Sequence, residues 1–352
     1  MCSRLVRTVT LVTLVGLMWL EGGSEGAPDS TTLAERTVPP PAGVSDELRA
    51  MIASRPLPPP EFPVPATLES WLEIQRTWDE ANAAVARDLA KKHGATYEAV
   101  QVAGVPCFLV TPETVSDRFE DRWLVHVHGG AFVLNGGEGC VTEAIWVAGA
   151  CNARVLSIDY RRPPEHPFPA AIADAVAVWK AVIERQDAGA TALFGSSAGG
   201  NLTLATTMKL AQLGLPLPGA LFAGTPATDL EKVGDTWHTI EGLDPLGQYD
   251  GFLQACFEAY VPAGNVSDPL VSPVRGDLEG FPPTILISGT RDLLLSDTVR
   301  MHRALRAAGV EADLHVYEGQ SHGDYIACDL VDAPESADAQ AEIHRFFDEH
   351  LR

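Results

Sequence analysis

From Tyr97 to the end of the chain, short apolar runs alternate with longer segments whose apolar residues recur at every third or fourth position. The apolar runs read as strands over Glu98–Val102, Pro106–Val110, Trp123–His128, Ala153–Asp159, Ala192–Gly195, Gly219–Ala223, Thr284–Gly289 and Ala312–Glu318. Helical spacing falls between them, roughly over Cys140–Cys151, Ala170–Arg185, Ala198–Leu213, Leu253–Tyr260, Asp297–Ala308 and Ala337–Leu351. Strands alternating with helices predict an α/β fold with a mostly parallel central sheet flanked by helices, its first two strands forming an antiparallel edge. The stretch from Thr225 to about Val274 breaks the alternation and is expected near the mouth of a site.

The chain before Tyr97 follows other rules. Leu68, Trp71, Leu72, Trp78, Val85 and Leu89 share one helical face, which predicts a single amphipathic helix over residues 67–93, capped by Thr67. Residues 28–66 are proline-rich, a linker or extended wrap with at most a short helix near Asp46–Ala53. Arg4 and Arg7 precede an apolar run from Thr8 to Leu20, and small and polar residues follow. Residues 1–27 therefore have the layout of a secretory signal peptide, too short in its apolar part for a comfortable bilayer span. Export to the periplasm or medium is expected if that segment is such a signal, and a cytoplasmic location otherwise.

Composition narrows the classes. The 352 residues are 46% hydrophobic, enough to bury a sizeable core. A formal net charge of −22 argues against nucleic acid or an anionic membrane surface as partner, because both need a basic face. Cysteines at 2, 107, 140, 151, 256 and 328 show no metal-like spacing and no disulfide framework. Neither a metal nor a cofactor is expected. A homodimer is left open.

The chemistry concentrates after the fifth strand. Gly195-Ser196-Ser197-Ala198-Gly199-Gly200 joins an apolar strand to a helix-forming run, the strand–turn–helix setting that a G-x-S-x-G nucleophile needs. The same pattern at Gly22–Gly26 has neither strand before it nor helix after it, so context selects Ser197. His128-Gly129-Gly130-Ala131-Phe132 follows the third strand, where a loop free of side chains could aim backbone N–H groups at a developing oxyanion. Gly129, Gly130 and Ala198 are the candidate donors. A base and its orienting carboxylate should follow in the order Ser, acid, His. Of ten histidines, His93, His302, His344 and His350 are expected on solvated helical faces, and His322 alone lies in a loop just past a late strand and after the serine. Asp292 follows just after the end of the preceding strand, and the rival Asp297 reads better as the N-cap of the next helix.

Taken together, these segments, with Asp159-Tyr160-Arg161, the run Arg162–Ala170, Asp292-Leu293-Leu294 and Ser321-His322-Gly323, resemble the hormone-sensitive-lipase family of bacterial esterases. The resemblance covers residues from about 97 to 350. It implies an α/β-hydrolase fold over residues 96–352, an N-terminal helical cap over residues 28–95, and hydrolysis of short- to medium-chain carboxylic esters by Ser197, Asp292 and His322. The chain departs from the family's common motifs at Ala131, Ser196, Leu293 and Asp324, and none of these removes a catalytic atom. Lactone opening or deacetylation of a natural product would use the same machinery. A binding protein of this fold is disfavoured because all three triad residues are present.

Overall fold

The computed structural model describes residue 35, residues 37–57 and residues 62–352, so residues 1–27 and the glycine-flanked Ser24 lie outside the described residues. Contacts group Pro40–Arg352 into one unit.

An eight-stranded sheet runs through it in the order β1-β2-β4-β3-β5-β6-β7-β8. The strands are β1 (Thr96–Val102), β2 (Val105–Thr111), β3 (Trp123–Val127), β4 (Arg154–Ile158), β5 (Ala192–Ser196), β6 (Ala220–Gly224), β7 (Thr284–Gly289) and β8 (Ala312–Tyr317). β1 and β2 pair antiparallel, β2 runs antiparallel to β4, and every pairing from β4 through β3 to β8 is parallel. β5, β6 and β7 are buried at every position, which is why their sequences are mostly apolar with no alternation of apolar and polar residues. The predicted strands stand within two residues of the observed ones.

The helices of nine residues or more are α1 (Asp46–Ser54), α2 (Leu68–Lys92), α3 (Thr142–Cys151), α4 (Ala170–Ile183), α5 (Ala198–Gln212), α6 (Phe252–Tyr260), α7 (Leu295–Ala307) and α8 (Pro334–His350). Two large clusters of buried side chains flank the sheet. One gathers α4, α5 and α7 around Trp179, Leu202 and Met301; the other gathers α2, α3 and α8 around Leu89, Trp146 and Phe347. Thr67 caps α2 as the sequence predicts, in a reciprocal pair with Ser70. Leu89 is fully buried, so truncating it to alanine costs about 2–5 kcal/mol.

Two expectations are corrected. Asp297 is not an N-cap: Leu294 holds that position and Asp297 sits buried in the first turn of α7. His93 is not on a solvated face: it ends α2 with its Nε2 2.8 Å from a carboxylate oxygen of Asp329. The five described cysteines are buried free thiols. Among the described residues no helix is long and apolar enough to cross a membrane.

Candidate active site

Parallel strands all point the same way, so the loops after β3, β5, β7 and β8 meet at one end of the sheet. That end is where α/β proteins carry ligands. The sharpest turn is at Ser197, whose backbone adopts φ 61° and ψ −124° between β5 and α5. A non-glycine residue there stores roughly 1–3 kcal/mol of strain, and only surrounding contacts can hold it. A Cβ on Gly195 or on Gly199 would lie 2.1 Å from the Val127 carbonyl oxygen, so the turn closes against β3 only because both positions are glycine. Ser197 N–H donates to the Gly224 carbonyl (2.8 Å), which locks the turn to β6.

The loop after β3 lies alongside. A Cβ on Gly129 would sit 3.4 Å from the Ser197 Cβ. Among the described residues, the N–H groups of Gly129, Gly130 and Ala198 have no protein acceptor. His128 holds this loop: its ring stacks on Tyr160 with centroids 4.0 Å apart, and its Nδ1 is 2.7 Å from the Gly129 carbonyl. Burial drives the His128 pKa well below the usual histidine value, so the ring is neutral and Nδ1 donates.

His322 Nδ1 lies 3.1 Å from Asp292 Oδ1. The same oxygen accepts from Leu294 N–H (2.9 Å), and Asp292 Oδ2 accepts from the Ser288 hydroxyl (2.6 Å). A carboxylate can only accept, so the imidazole proton sits on Nδ1 and the Nε2 lone pair is free for a proton from elsewhere. Burial opposes a charge on His322, but the bond to Asp292 and the fields of Asp292, Asp244 and Asp324 outweigh it and raise the pKa above 6.5. Ser197, His322, Gly129, Gly130 and Ala198 all line one cavity of about 940 Å³. Its walls include Phe62, Trp78 and Val85 from the N-terminal part of the chain and Leu246 and Phe252 from the irregular stretch after β6.

Three acidic residues that motif reading did not assign stand around these groups. Glu143, on the otherwise apolar α3, accepts from Ser196 N–H (3.0 Å) and from the Ser196 hydroxyl (2.5 Å), and lies 3.1 Å from His126 Nε2. Tyr325 closes the set, its hydroxyl 2.5 Å from the Ser196 Oγ. The elbow thus carries a hydroxyl at 196, and a carboxylate reaches it from a neighbouring helix. A single acid inside an apolar helix was the readable signal for Glu143. Asp324 is buried and pairs with both terminal nitrogens of Arg55, at 2.5 and 2.8 Å, while accepting from Ser321 N–H (2.7 Å). Asp244 comes from the irregular stretch, and no motif points to it. Asp297, the rival acid, faces elsewhere: its Oδ2 accepts from Asp229 N–H (3.1 Å).

This sheet, with its loops gathered at one end, places the chain among the α/β-hydrolases. A family model described as the alpha/beta hydrolase fold matches residues 124–326. The chain is 32% identical over 206 residues to an acetyl-hydrolase of Streptomyces hygroscopicus, covering 58% of this chain and 69% of that one. It is 30% identical over 247 residues to the carboxylesterase NlhH of Mycobacterium tuberculosis, covering 67% and 75%. Among solved structures, esterase E25 superposes with a TM-score of 0.87 at 46% identity, over 92% of this chain and 99% of that one. An esterase of the bacterial hormone-sensitive lipase family gives 0.74 at 28% identity, over 88% and 99%. The chain belongs to the hormone-sensitive-lipase family of α/β-hydrolases. It is a serine hydrolase acting on carboxylic esters.

Proposed function

We propose that Ser197 is the nucleophile, His322 the general base and acid, and Asp292 the carboxylate that orients it. The N–H groups of Gly129, Gly130 and Ala198 would receive the oxyanion. The observation that carries this reading is the 3.1 Å contact between His322 Nδ1 and Asp292 Oδ1, beside a strained Ser197 in the same cavity. A serine hydroxyl is a poor nucleophile until a neutral imidazole takes its proton. Nε2 would accept that proton as Oγ attacks the ester carbonyl, and the imidazolium would return it to the leaving alkoxide. Water would then repeat the sequence on the acyl-enzyme, with His322 again as base. Fixed amides aimed at the developing charge lower the barrier most, because they need no rearrangement; removing one such donor typically costs about 10²–10³-fold in rate.

Short- to medium-chain esters are the proposed substrates, held between the apolar walls. The similarity to an acetyl-hydrolase favours acetyl esters of larger alcohols as a second reading. The helix α2 and the residues around Phe62 would act as part of a cap, spanning residues 28–95. Export belongs to the same proposal and rests on the sequence of residues 1–27; N-terminal sequencing of the mature protein from a secreting host checks it. A fluorophosphonate probe should label the wild type and not Ser197→Ala. A panel of acetyl, butyryl and longer esters then separates the two substrate readings. Labelling of Ser197→Ala at the wild-type rate would end the assignment.

A further inference from the structure

We propose that Asp244 is a positioning residue for ester hydrolysis, whose carboxylate ties the loop of the acid to the loop of the base and sets the place of the imidazole. The inference rests on the Ser197–His322–Asp292 reading above.

Asp244 lies in a tight turn after β6, closed by Gly242 N–H to the Gly247 carbonyl and Gly247 N–H to the Asp244 carbonyl, each at 2.8 Å. Its side chain is fully buried. Oδ1 accepts from Leu246 N–H (2.8 Å), the usual self-capping bond of an aspartate in a turn. Oδ2 does something a turn does not need. It accepts from Leu293 N–H (2.8 Å) and from His322 N–H (3.1 Å). Leu293 follows the proposed acid directly, and His322 is the proposed base. One oxygen atom from a third segment therefore holds the backbones of both, and the Asp292–His322 contact is built between two points that Asp244 pins.

The groups facing it fit that role. Asp292 and His322 lie on one side, and Arg55, paired with Asp324, adds a positive field. Burial, then Asp292, pushes the Asp244 carboxyl up to about 7, against the pull of His322 and the N–H donors. Above neutrality, where the base is free to act, both loops are bonded to an anion. That negative charge is also one of the fields raising the pKa of His322. An asparagine cannot replace it: with its oxygen on either side, its NH₂ group meets a backbone N–H.

The test is Asp244→Asn, with Asp244→Ser as a smaller variant that leaves room for water at both amides. Asp235→Asn, an exposed carboxylate in the same stretch, is the control. Competent sites are counted by fluorophosphonate titration, so misfolded protein does not enter the rates. In at least one Asp244 variant kcat should fall roughly 10²-fold per competent site, the loss expected from a displacement on the order of 1 Å, with KM nearly unchanged. The midpoint of kcat/KM against pH should move to lower pH, because a negative neighbour of His322 is gone. Wild-type kcat per competent site with an unmoved midpoint would overturn the proposal, as would losses in both variants that merely follow the count of folded molecules. An inactive Asp244→Asn beside a fully active Asp292→Asn would make Asp244 the acid itself. Turnover surviving in Ser197→Ala would instead bring down the underlying reading.

Discussion

Replacing Asp292 by asparagine tests the triad at the atom where this structure is most specific. In a serine-protease triad the equivalent change costs about 10⁴-fold, because the amide stabilises the wrong tautomer of the imidazole. The surroundings of Asp292 favour a smaller loss. Oδ1 is held by two donors, His322 Nδ1–H and Leu294 N–H, whereas Oδ2 faces only the Ser288 hydroxyl. An amide that keeps its oxygen at the Oδ1 place retains both donors, and its NH₂ group can donate to Ser288 once that hydroxyl turns to accept. The opposite orientation sets NH₂ against two N–H groups. The useful tautomer should therefore survive, and what disappears is the charge facing the imidazolium. Two unit charges roughly 4 Å apart at an effective dielectric of about 20 interact by about 4 kcal/mol. At 1.36 kcal/mol per decade that is a loss of roughly 10³-fold in kcat. The assay is hydrolysis of a chromogenic butyrate across the neutral pH range, and the pH midpoint should also fall. Adding Ser288→Ala removes the acceptor that orients the amide and should cost about a further tenfold in Asp292→Asn, yet far less in the wild type. A loss of 10⁴ or more in the single variant, with nothing added by Ser288→Ala, would refute the orientation argument.

In the wild type, kcat/KM should rise with pH as His322 loses its proton. Since the pKa of His322 is raised, the half-maximal point should lie above 6.5, and a midpoint below 6 on a pH–rate curve would contradict the electrostatics described. Asp297→Asn should retain near-wild-type kcat. Burial lifts the Asp297 carboxyl to about 7, so stability is lost progressively as pH rises from the ordinary carboxylate range to about 7, and the variant's gain in Tm should be larger at pH 8 than at pH 5. Arg55→Ala strips a buried carboxylate of its partner; with the Arg55 side chain one-fifth exposed, about 2 kcal/mol is expected, read as a Tm lower by several degrees. Trp78→Ala removes an apolar wall of the cavity and should change the ratio of butyrate to longer-chain turnover while leaving fluorophosphonate labelling of Ser197 intact.

Much of this fold is legible in the sequence. Buried strands such as Thr284–Gly289 announce themselves because a strand covered on both faces is mostly apolar, and the polar side chains it does bury, Thr284 and Ser288, each find an acceptor. The elbow at Ser197 is readable because its geometry tolerates few residue types: Gly195 and Gly199 each meet the Val127 carbonyl at a distance no side chain survives. Asp292 and His322 can be proposed as acid and base from the sequence because chain order and strand ends restrict where such groups can hang. Tertiary structure alone decided the rest. Asp244 lies 48 residues before Asp292 and 78 before His322 in the chain, in a stretch with no periodicity, and only folding brings its Oδ2 to both loops. Asp297 looked like a helix cap because aspartate is favoured there, but α7 begins two residues earlier and turns that side chain inward to Asp229. Arg55 and Asp324 are separated by 269 positions, and no local rule couples them. Local patterns record what a residue's neighbours in the chain require of it; a contact between distant segments leaves no such mark when a single polar atom carries it.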